Sequence, residues 1–187
     1  MKSHSIYDTL ERLSNLLRTD ARGKGSEYGL QPIQLEALHY LSLCNRFSDT
    51  PMAVTEYLGQ TKGTVSQTLK VLKKKGYLRK QPDDNDKRLT HLKITDDGLA
   101  LLKALIPTPL FTNGCKSLTN KAQTEIDNAL KQLLVAIMKS NKMKSFGACH
   151  SCYHNEKRTD GYFCTLVKKP LSIEDIRLIC REHKEIS

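Results

Sequence analysis

No apolar run in these 187 residues approaches the roughly 18–20 that a membrane span requires, so no membrane partner is expected. The amino-terminal stretch, MKSHSIYDTLERLSNLL, lacks the basic–apolar–small layout of a secretory signal. A cytoplasmic location is the expectation. Internal repeats and low-complexity tracts are absent too, which excludes solenoids and repetitive linkers. What is present, 39% hydrophobic and 27% charged residues, describes a folded globular chain. In a reducing compartment its six cysteines read as metal ligands, sensors or core fillers rather than disulfides.

The formal net charge is +10, and it is unevenly spread. Between Thr61 and Lys93 ten Lys/Arg face three Asp, a net +7 in about a sixth of the chain. A uniformly solvated surface does not concentrate charge this way, so the excess points to a nucleic-acid partner.

Ile6, Leu10, Leu13 and Leu17 recur at helical spacing, and the Gly-rich stretch 22–29 is expected to end that helix. A second helix over 31–43 opens with proline in its first turn. A short helix near 52–58, a turn at Gly59-Gln60 and a longer helix from Lys62 to Lys75 follow. Thr61 is the expected cap and Gly76 the left-handed terminator. Two short strands, 77–81 and 89–95, flank the polar loop Pro82–Arg88. A helix from Thr95 to Ile106 is broken by Pro107 and Pro109. A last long helix over 119–139 carries Ile126, Leu130, Leu133 and Ile137 on one face. The order gives a mainly α fold: a winged helix-turn-helix between flanking helices, followed by a small cysteine-rich module. The expected division is 1–145 and 146–187.

In TKGTVSQTLKVLKKKG, Val65, Leu69 and Leu72 form a stripe for burial. Lys62, Thr64, Ser66, Gln67 and Lys70 are left outward, the side-chain types that reach base edges and phosphates in a major groove. A solvated amphipathic helix with a Lys-rich end is the plainer alternative. In the loop PDDNDKRLTHLKIT, Asp86 stands two residues before Arg88. An arginine at the base of a β-wing suits the narrow minor groove, and the aspartate can hold its guanidinium. Lys87 adds charge beside them.

These segments resemble the core of MarR-family transcriptional regulators. The similarity runs through AVTEYLGQTKGTVSQTLKVLKKKGYLRKQPDDNDKRLTHLKITDDG, with the family's Asp-x-Arg wing on Asp86 and Arg88 and its helix start on Ile94–Gly98. It is specific over 50–100, while the flanking helices agree only in layout. The resemblance implies a homodimer joined through its terminal helices, on a pseudo-palindromic operator in double-stranded DNA. It also implies a transcription regulator rather than an enzyme, and leaves any small-molecule effector open. Others of the family use a reactive cysteine in the first helix; here the first cysteine is Cys44, which with Cys115 reads as core.

The four remaining cysteines are spaced C-x2-C-x11-C-x15-C, at Cys149, Cys152, Cys164 and Cys180. A knuckle plus two further thiolates can complete a tetrahedral sulfur shell, in a segment with few large apolar residues of its own. One metal centre per chain is expected. Zinc is favoured over an iron–sulfur cluster, which would instead make the chain a redox or iron sensor. His150, His154 or His183 could replace a cysteine. A thiol–disulfide enzyme on Cys149 and Cys152 would need a βαβ unit, and none is visible. A docking module for another protein is the remaining alternative.

Overall fold

The structure, a computed structural model, describes residues 2–84 and 86–186. Helices α1 (Lys2–Glu27), α2 (Pro32–Leu43), α3 (Pro51–Leu58) and α4 (Lys62–Lys74) precede an antiparallel ribbon of β1 (Leu78–Pro82) and β2 (Thr90–Ile94). Then come α5 (Asp96–Leu105), α6 (Pro109–Lys116) and α7 (Asn120–Ser140). In the carboxy-terminal segment β3 (Asn155–Arg158), β4 (Gly161–Cys164) and β5 (Lys169–Leu171) form an antiparallel sheet in that order. Among the described residues no helix is long and apolar enough to cross a membrane.

Caps fix the helix starts. Thr50, Thr61, Thr95, Thr108 and Thr119 each accept, through the side chain, the amide of the residue three positions on. Gly59 and Gly76 sit at positive φ (60° and 81°) and turn the chain out of α3 and α4, as their positions imply. The helix α1 ends inside the Gly-rich stretch, at Glu27, where Gly29 at positive φ (61°) turns the chain out, while Gly23 and Gly25 stay within the helix. A Cβ on Gly25 would stand 2.9 Å from Leu35 Cδ1 and 3.0 Å from the Leu30 carbonyl, so this glycine serves close packing rather than chain reversal. Pro109 is likewise no breaker. It occupies the first turn of α6, where a missing N–H costs nothing, and Thr108 caps it.

One core holds the reading head together. Leu35, Leu38, Val54, Val65, Leu69, Leu72, Leu78 and Leu92 are all nearly inaccessible. They bring α2, α3, α4 and both ribbon strands onto one set of contacts. Truncating any of these leucines to alanine is worth about 2–5 kcal/mol. Phe146 and Ile179, from beyond α7, pack against the same core. A second cluster, of Cys149, Leu171, Ile176 and Cys180 with Phe47, Tyr162 and Cys164, sits under the small sheet.

Candidate nucleic-acid interface and cysteine site

The helix α4 is buried on one side through Val65, Thr68, Leu69 and Leu72. That burial fixes its rotation. Lys62, Thr64, Ser66, Gln67 and Lys70 are consequently exposed on the opposite face. Thr61 Oγ1 accepts the amide of Thr64 (3.1 Å) and pairs with its hydroxyl (2.9 Å), so the helix starts cleanly with its positive end open.

The ribbon extends beside it. Arg88 projects with 91% of its side chain accessible, held by Nε on Asp86 Oδ1 and Nη2 on Asp86 Oδ2, each at 3.0 Å. The Asp86 carboxylate also accepts the Arg88 amide (3.0 Å). The guanidinium bonds push the Asp86 carboxyl below its usual range and raise Arg88 further. Lys87 is exposed next to them. The wing aspartates therefore act within the loop: Asp83 accepts the Asp86 amide (2.8 Å) and Asp86 holds Arg88.

Sequence reasoning missed the joint at the wing's base. Asp49, 4% exposed, places Oδ1 2.5 Å from His91 Nδ1 and accepts Lys93 Nζ at 2.6 Å through Oδ2. His91 Nε2 lies 3.0 Å from Asp83 Oδ2. Burial pushes the imidazole down, but its bonds to Asp49 and then Asp83 outweigh that, and the net shift is upward. The Asp49 carbonyl also accepts the Leu92 amide (2.7 Å). Asn45-Arg-Phe-Ser-Asp reads in sequence as an ordinary polar turn, and only the fold sets it against β2.

Cys149, Cys152, Cys164 and Cys180 all line one small cavity of about 40 Å³, together with His154, Asn45 and Phe47. Each of the six cysteines is a free thiol. Donors converge on the sulfurs. Asn45 Nδ2 donates to Cys149 Sγ (3.1 Å) and the Lys184 amide to Cys152 Sγ (3.5 Å). The neighbouring Cys149 is the main cause that draws the Cys180 thiol down, while the same proximity, with burial, pushes Cys149 up. Among the described residues, no group of three or more His, Cys, Asp or Glu stands close enough to hold a metal as it lies. His183 is turned elsewhere: Nδ1 meets Ser145 (2.6 Å) and Nε2 meets Ser151 (3.1 Å). His150 Nδ1 faces the Ile176 carbonyl. Of the three histidines, His154 alone lines the cavity. Cys44 is buried in the main core, and burial pushes its thiol up to about 12; Cys115 is partly buried on α6.

The segment is bound to the reading head rather than hanging from a linker. Arg181 grips Glu56 of α3 through Nε (2.8 Å) and Nη2 (2.6 Å), and Lys144 adds a contact at 3.0 Å. The Arg181 bonds hold the Glu56 carboxyl at about 2. The backbone of Ile179 pairs with Leu43 and Asn45 at the end of α2.

A core of α2–α4 with an antiparallel ribbon after the exposed helix defines a winged helix-turn-helix protein. The comparisons narrow the class. A family model described as MarR family matches residues 28–89. The HTH-type transcriptional repressor NicR of Pseudomonas putida is 27% identical over 106 residues, covering 54% of this chain and 67% of that protein. Among solved structures, a MarR transcriptional regulator from Methanosarcina mazei aligns with a TM-score of 0.62 at 22% identity, over 73% of this chain and 98% of its own. MepR of S. aureus in complex with DNA aligns at 0.55 and 22%, over 70% and 97%. Residues 28–89 therefore match the MarR-family model, and the winged helix-turn-helix fold is shared with these solved structures.

Proposed function

We propose that this chain is a sequence-specific, double-stranded-DNA-binding transcriptional regulator of MarR type, acting as a homodimer and carrying a metal centre on Cys149, Cys152, Cys164 and Cys180. The observation that carries the DNA reading is the exposed row Lys62, Thr64, Ser66, Gln67 and Lys70 on a helix whose other face is fixed by burial. Short polar, amide and basic side chains on such a face suit base edges and phosphates in the major groove. Asp86 keeps Arg88 extended toward the adjacent minor groove, and Lys87 adds a phosphate contact. The existence of a MepR–DNA complex on a similar fold supports the reading.

The dimer rests on apolar surface that one chain leaves uncovered. Ile6, Leu13 and Leu17 on α1, and Ile126, Leu130, Leu134 and Ile137 on α7, are each at least 37% exposed. Among the described residues no α7 side chain is buried. Two copies related by a two-fold axis would place their reading helices one DNA turn apart, on a pseudo-palindromic operator. A cavity of about 440 Å³ lined by Leu17, Pro32, Leu35, His39, Ile106 and Phe111 has the size and apolar lining for a small effector.

For the metal, the donor set fits. Four cysteines line one cavity and two amide donors point at their sulfurs, the surroundings thiolate ligands need. Roughly 40 Å³ accommodates a single ion more readily than a cluster of iron and sulfide, which favours zinc. The thiols would have to draw together to close the shell, since among the described residues no three ligands stand within reach of one ion as they lie. A bound ion would supply a structural clip for a segment whose own core is largely sulfur.

Selection of randomised duplexes by the purified chain tests the function. Enrichment of an inverted repeat with half-sites about 10 base pairs apart is expected. Recovery of no preferred sequence would overturn the reading.

A further inference from the structure

We infer that the cysteine site is shared between the carboxy-terminal segment and the winged-helix body, and that residues 45–50 relay its ligation to the wing. This rests on the metal reading above and goes beyond it by naming the winged-helix residues that take part and where the effect arrives. Asn45 and Ser48 are each 0% exposed, yet they belong to the loop between α2 and α3, not to the cysteine segment. The Asn45 side-chain amide donates to Cys149 Sγ at 3.1 Å, and its Oδ1 accepts the Phe47 amide (3.1 Å), so the loop's shape and the thiol are joined through one side chain. Ser48 Oγ accepts the amide of Arg181, the residue after Cys180, at 2.9 Å. The loop backbone is further tied to the Tyr40 hydroxyl through the Ser48 carbonyl (2.9 Å) and to Ile179 through the Asn45 amide (2.9 Å).

One residue further on, the same loop reaches the wing. The Asp49 side chain holds His91 and Lys93 of β2, and its carbonyl accepts the Leu92 amide. From Cys149 to β2 there is thus a run of short, buried or part-buried polar contacts joined by the backbone of the loop. Such contacts transmit small displacements because no solvent can replace a lost partner. Coordination would release the Cys149 proton to solvent. The Asn45 amide would then donate to a thiolate instead of a thiol, and hydrogen bonds to charged acceptors are about twice as strong. Ligation would therefore tighten the loop on the cysteine side, and the wing, anchored at Asp49 four residues on from Asn45, would become better fixed.

Hydrogen–deuterium exchange on the full chain, stripped and loaded with zinc ion, tests this, with zinc affinity measured by chelator competition. Loading should slow exchange in residues 45–50 and in β2. Asn45→Asp keeps the bond from Phe47 but removes the donor, and should weaken zinc binding roughly 10–100-fold. Ser48→Ala, a milder change at a fully buried position, should weaken it in the same direction. Asp49→Asn should reduce the zinc-dependent slowing in β2 and, since coupling is reciprocal, lower zinc affinity, though less than Asn45→Asp does. Zinc bound with no change in β2 exchange, or with wild-type affinity in both Asn45→Asp and Ser48→Ala, would overturn the relay and leave the metal site standing. A chain that takes up neither zinc nor, after anaerobic treatment with ferrous iron and sulfide, a cluster would overturn both.

Discussion

His91 shows how one side chain can set the condition under which a surface is presented. It lies between Asp49 and Asp83, with Lys93 on the same carboxylate and Arg46 and Lys169 around the same depression. Its proton is held more tightly in the folded chain than at the ordinary value of 6.5. The sign follows: the bound proton stabilises the wing fully below 6.5, and that contribution is lost as pH rises through the raised folded value. Backbone exchange in β2 should therefore quicken as pH is raised across that interval, after correction for intrinsic exchange. His91→Gln should remove this component, and a pH response equal in the two proteins would show that His91 is not its source. Arg88 makes the opposite case, a fully solvated side chain whose geometry is fixed by its own loop. Arg88→Ala should weaken DNA binding by more than one phosphate contact, because the Asp86 carboxylate would then face phosphate unpaired. Equal losses for Arg88→Ala and Lys87→Ala in a duplex titration would argue against that pairing.

At the scale of elements, the residues that carry local rules were legible. Thr61 and Gly76 bound α4 as their chemistry requires, and Val65, Leu69 and Leu72 fix its rotation, so the outward row could be named from spacing. What spacing could not give was tertiary. Gly25 looked like a break because a helical glycine is costly, and its use in close packing against Leu35 and Leu30 appears only in three dimensions. Likewise the four sulfurs were legible as a set, but Asn45 and Ser48, about a hundred residues or more from Cys149 and Cys180, carry no ligand signature. Gly98 belongs to the same lesson: a Cβ there would lie 2.4 Å from the Tyr77 carbonyl oxygen, where α5 begins against β1. Gly98→Ala should cost about 1–3 kcal/mol in denaturant unfolding through overpacking. An unchanged midpoint would mean that α5 shifts without penalty.

For the whole molecule, charge and apolar surface divide the labour. The basic side carries α4 and the wing, while α1 and α7 carry the uncovered leucines and isoleucines. Leu130→Glu combined with Leu134→Glu should convert a dimer into a monomer in sedimentation, and should reduce operator affinity because the two heads would no longer bind as one unit. A double variant that remains dimeric would place the interface elsewhere. Docking of the cysteine segment through Arg181 and Glu56 makes the reading head and the sulfur site one mechanical body, so changes at one reach the other without a long-range device. Contact between the exposed face of α4 and the DNA backbone and bases is tested by the salt dependence of binding to the selected duplex. The wild-type chain should show a steep linear fall of log affinity with log salt, and Lys70→Ala should lower the slope by about one. A wild-type affinity indifferent to salt, or a slope untouched by Lys70→Ala, would contradict it.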